Sequence, residues 1–133
     1  MAAALAPLQA EIANLQVYAY MNPNPTAPSI DFYPGDPFQV ASGFKLDTDT
    51  FWTVRARASW ADHESGQKVL LAFLDRRDPA SVEEALTSDQ SLGGVVQSVA
   101  VVPEGVSGYR EYVQDQTTAG RLIGCEWRVV VTL

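Results

Sequence analysis

A chain of 133 residues is close to the commonest size for one domain, long enough to bury a core without disulfides or metals. Apolar residues make up 47% and charged residues 19%, a globular balance that excludes a disordered chain. The 16 acids and 9 bases leave a net charge of −7, and the bases come close together only as Arg55 with Arg57 and Arg76 with Arg77. That lacks the basic stripe of a tight nucleic-acid binder.

The first residues, "MAAALAPLQAEIANL", place Leu5, Leu8, Ile12 and Leu15 at helical spacing, so a short amphipathic helix is expected over 2–15. Pro7 belongs in its first turn, where a missing N–H costs little. The stretch has no positive region before its apolar residues, and no run approaches the roughly 18 apolar residues of a membrane span. The expectation is a soluble protein with no membrane partner, made in a cytoplasm.

Val17–Tyr20 reads as a short strand, and "MNPNPTAPS" as a proline-rich surface loop. Ser29–Tyr33 is another strand, closed by a predicted turn at "PGDP". Residues 38–50 read as a long loop or a weakly paired hairpin. The clearest strand is "FWTVRARASW", 51–60, where Trp52, Val54, Ala56, Ala58 and Trp60 share an apolar face. Phe51, Thr53, Arg55, Arg57 and Ser59 point the other way. A helix is expected over 67–74, and a second restarts with Asp78 as its cap and Pro79 in first position. The valine strand 95–102 follows, then a turn at "PEGVSGY", a strand over 109–113, a polar loop over 114–120 and a closing strand over 122–133.

This order predicts a single α+β domain over 1–133: a mainly antiparallel sheet with helices packed on one face. The solvent face of that sheet would carry Arg55 and Arg57, with Glu126 and Arg128 from the closing strand.

The residues offer little for catalysis. His63 is the only histidine and Cys125 the only cysteine, so a Cys–His pair would need both to meet in an activating environment. Cys125, inside a strand, reads instead as a buried and inert thiol, and it cannot form an internal disulfide. Ser59 or Ser65 could join His63, but no nucleophile elbow is present. The acids of "DTD" at 47–49 and "DHE" at 62–64 do not have calcium-loop spacing. Gly93 and Gly94 lack the lysine of a phosphate loop and follow a helix where a phosphate site would precede one. They read as a structural turn at a helix C-terminus. No catalytic, cofactor or metal residue is expected. Tyr33, Phe38 and Phe44, on or beside the 34–50 stretch, are candidates for contact with a neighbouring subunit.

Three stretches together have a familiar order: the N-terminal helix with "PSIDFYPGDPF", the alternating strand leading to "GQKVLLAFLD", and "TSDQSLGGVVQSVAVV" followed by the closing "GCEWRVVVTL". In that order the chain resembles the tail terminator, or tail completion, proteins of long-tailed bacteriophages, from about residue 3 to 133. The resemblance implies a virion structural protein and not an enzyme, with no cofactor. Its subunits, commonly six, form a ring that caps the tail tube, ends tail polymerisation and meets the head-completion or connector protein. DNA then passes through the lumen without sequence recognition. A subunit of this length is about 36 Å across if spherical. Six such spheres leave a hole one subunit wide, with room for a duplex, whereas four leave less than half of that. The acidic balance suits a lumen that must not grip phosphates. Two other readings stay open: a head-closure or minor tail protein of the virion, and a small cytoplasmic α+β enzyme or ligand-binding domain. The last would need a pocket with convergent polar groups, and the sequence offers no evident set.

Overall fold

Strand alternation and helical periodicity both resolve into one sheet with a helical layer. The computed structural model describes residues 2–12, 14–21, 28–41, 48–59, 63–88, 98–108, 110–113 and 121–132. In chain order these form α1 (Ala2–Leu5), a 3-10 segment (Ala6–Ala10), β1 (Gln16–Tyr18), β2 (Ser29–Ala41), β3 (Thr48–Ser59), α2 (His63–Leu74), α3 (Val82–Thr87), β4 (Ser98–Val106), β5 (Arg110–Val113) and β6 (Arg121–Thr132). The sheet order is β1-β2-β3-β6-β4, with β5 also on β6. Among the described residues, β1–β2 is the one parallel pair. The predicted α+β class, a mainly antiparallel sheet with helices on one face, is the observed one.

The core lies between the sheet and the helices. β3 and β6 pair along their whole length and place Val54 opposite Trp127, Ala56 opposite Cys125 and Ala58 opposite Ile123. All six are buried in one cluster with Leu70 and Phe73 of α2, Val82 and Leu86 of α3, and Leu5 and Leu8 from the N-terminus. Small residues on β3 let α2 come close. A Cβ added at Gly66 would lie 2.6 Å from the Ser59 carbonyl oxygen, so glycine sets that approach.

Several expected elements take a different form. The N-terminal helix is only one turn of α-helix followed by a 3-10 segment with Pro7 at its start. Asn14, at φ 62°, then reverses the chain and delivers Leu15 to the core. The first strand begins one residue early and ends at Tyr18. The second helix starts at Val82 and not at Asp78. Ser81 is its cap, accepting from the Glu84 N–H at 3.3 Å, while Asp78 closes a turn by accepting from the Ala80 N–H at 2.9 Å. The Ser-x-x-Glu pattern at 81–84 outcompetes Asp-Pro as the start signal.

The two predicted turns are bulges inside strands. β2 continues through "PGDP": Pro34 pairs with Trp52, and the register resumes at Gln39 with Thr50. Of the two readings of 38–50, the paired hairpin is observed as far as Ala41 and Thr48. β4 continues through "PEG", from Val101 opposite Val129 to Val106 opposite Trp127. Each bulge inserts extra residues into an outer strand, bending it away from the flat ladder. The glycine corner at Gly93 and Gly94, Phe44, Trp60, and the loops 22–27 and 114–120 lie outside the described residues.

Candidate functional site: the charged face of the sheet

Alternation gives the sheet a second face, away from the helices. Its centre is a carboxylate between two guanidinium groups. Asp31 on β2 is opposite Arg55 on β3, and Arg57 lies two residues along the ladder, opposite Ser29. Arg55 donates to it twice, from Nε at 3.1 Å and Nη2 at 2.6 Å, and Arg57 Nη2 donates at 3.1 Å. Side-chain exposure is 0% for Asp31, 3% for Arg57 and 12% for Arg55. The predicted solvent face is therefore covered at Arg57, which is a correction: alternation assigns a residue to a face, not to water.

Arg55 also lies 5.1 Å from the centre of the Tyr33 ring, and the Tyr33 hydroxyl donates to Glu126 Oε1 at 3.3 Å. Burial raises the Tyr33 phenol above its ordinary pKa, and the Glu126 carboxylate pushes in the same direction. Glu126 is tied to β4's far end by its main chain, whose N–H donates to Ser107 Oγ at 2.9 Å, while the Ser107 N–H donates to the Glu126 carbonyl at 2.8 Å.

Beside this network lies a groove of about 320 Å³. Its floor is Thr53 with Glu126 and Arg128, and its walls are the bulges at Gly35 and at Glu104–Ser107. The placement of the walls follows from register. Pro34, Trp52, Val129 and Val101 form one row across the four strands, and both bulges start from that row. The central pair stays regular, and the outer strands bulge on opposite sides of that row, β2 toward Thr50 and β4 toward Trp127. Arg128 has its guanidinium carbon 4.4 Å from the centre of the Phe51 ring.

Of the candidate subunit-contact residues, Tyr33 is half-buried on this face and engaged within its own sheet. Phe38 lies in the bulge region of β2, with its side chain outside the described residues, as is the whole of Phe44. Cys125 is fully buried on the opposite, helix-facing side, and desolvation pushes its thiol pKa up to about 12. A nucleophilic thiolate is not formed there at neutral pH. His63 opens α2, with its side chain outside the described residues.

Sequence reasoning did not single out Asp31. Its signal is a lone acid in a short strand, and its meaning depends on two arginines more than 20 residues away that share its face. Among the described residues, no cluster of three or more His, Cys, Asp or Glu is arranged to hold a metal, and no helix is long and apolar enough to cross a membrane. No protein-family model and no curated protein matches the chain. The arrangement on this face is suited to holding another charged group, with hydrogen-bonding and stacking side chains and no activated nucleophile among those described.

Proposed function

We propose that this chain is a tail-terminator subunit of a long-tailed bacteriophage. It forms a ring, most simply of six copies, that caps the finished tail tube, ends its polymerisation and presents the surface to which the head connector joins. DNA passes through the lumen without sequence recognition. The protein acts by binding and not by turnover.

The observation that carries the reading is how the resembling stretches fall on the fold. "PSIDFYPGDPF" belongs to β2, "FWTVRARASW" and "GQKVLLAFLD" to β3 and α2, the end of the valine run to β4 and "CEWRVVVT" to β6. Together they make up most of one sheet-and-helix unit, in chain order. The charged sheet face adds a surface on which subunits can meet.

The test is electron microscopy of lysates from a phage lacking this gene. The expected result is tails of irregular, overlong length that fail to join heads, restored by supplying the protein. Tails of normal length joined to heads overturn the proposal. Tails of normal length left unjoined also overturn it and move the protein to the head-closure side of the joint.

A further inference from the structure

We draw no further inference here: the strongest candidate, the groove of about 320 Å³ between the β2 and β4 bulges on the charged face of the sheet, belongs to the site already described, and its lining of Glu104, Glu126 and Arg128 shows nothing of what would fill it.

Discussion

Asp31 is the residue whose loss the fold should tolerate least. Asp31→Asn keeps the size of the side chain and one accepting oxygen, but removes the charge that faces Arg55 and Arg57. Both cations are largely excluded from water, at 12% and 3% side-chain exposure, and would face a neutral amide where they now face a carboxylate. Breaking a buried ion pair from one side costs about 3–5 kcal/mol, mostly from the stranded partner. With an unfolding entropy of about 2.1 cal/mol/K per residue, 133 residues give about 0.28 kcal/mol/K, or about 3.6 °C of melting temperature per kcal/mol. The expected fall is therefore about 11–18 °C, measured by calorimetry or by circular dichroism under reversible conditions. Adding Arg57→Met to Asp31→Asn removes the more buried of the two cations and should recover part of the loss. A single variant melting within about 3 °C of the parent would refute the reasoning, because the three groups would then be solvated and their pairing worth no more than a surface contact.

Gly66→Ala should destabilise by about 1–3 kcal/mol in urea titration despite alanine's better helix propensity, because its methyl meets the Ser59 carbonyl at 2.6 Å and α2 must shift; an unchanged or higher midpoint would contradict this. Ser29→Ala should be neutral or stabilise by up to about 1 kcal/mol, since the fully buried Ser29 hydroxyl has no hydrogen-bond partner among the described residues, and a clear loss of stability would show that the hydroxyl is bonded in solution. The Cys125 thiol has a folded pKa raised to about 12, above its unfolded value, so its neutral state costs nothing below about pH 8. As pH rises from about 9 toward 12 the unfolded chain releases that proton and the native chain does not, lowering stability by about 1.4 kcal/mol per pH unit, with Tyr33 adding the same sign at higher pH. Urea unfolding of the parent and of Cys125→Ser across that range should diverge, and parallel curves would show that the thiol titrates normally.

The parts of the fold that could be read from the sequence are those set by periodicity within one element. β3 was readable because five apolar residues alternate with five others over a single stretch, and α2 because Val69, Leu70, Phe73 and Leu74 recur on one side. Bulges are harder, because "PGDP" carries the same local preferences whether the chain reverses or only kinks. What decides is the pairing of Gln39–Ala41 with Thr48–Thr50, information that lies beyond the motif. The charged face fails to show for a related reason. Arg55 and Arg57 announce a polar face, but the burial of Arg57 depends on Asp31 arriving from another strand with its carboxylate aligned to both. The surroundings of Arg128 are equally hidden in the sequence: the Phe51 ring and Gly105 beside it come from two other strands.

The edges of the sheet constrain how copies of such a domain can meet. β1 covers β2 only at Ser29–Asp31, so among the described residues the rest of β2 has no outer partner. That stretch includes Pro34 and Pro37, which have no N–H to offer an incoming strand, and its register is broken between Pro34 and Gln39. The other edge, β4, is interrupted in the same way, with Pro103 inside its bulge between Val101 and Val106. Prolines and bulges are the devices by which exposed edges resist strand addition. Strand addition at either edge is therefore disfavoured.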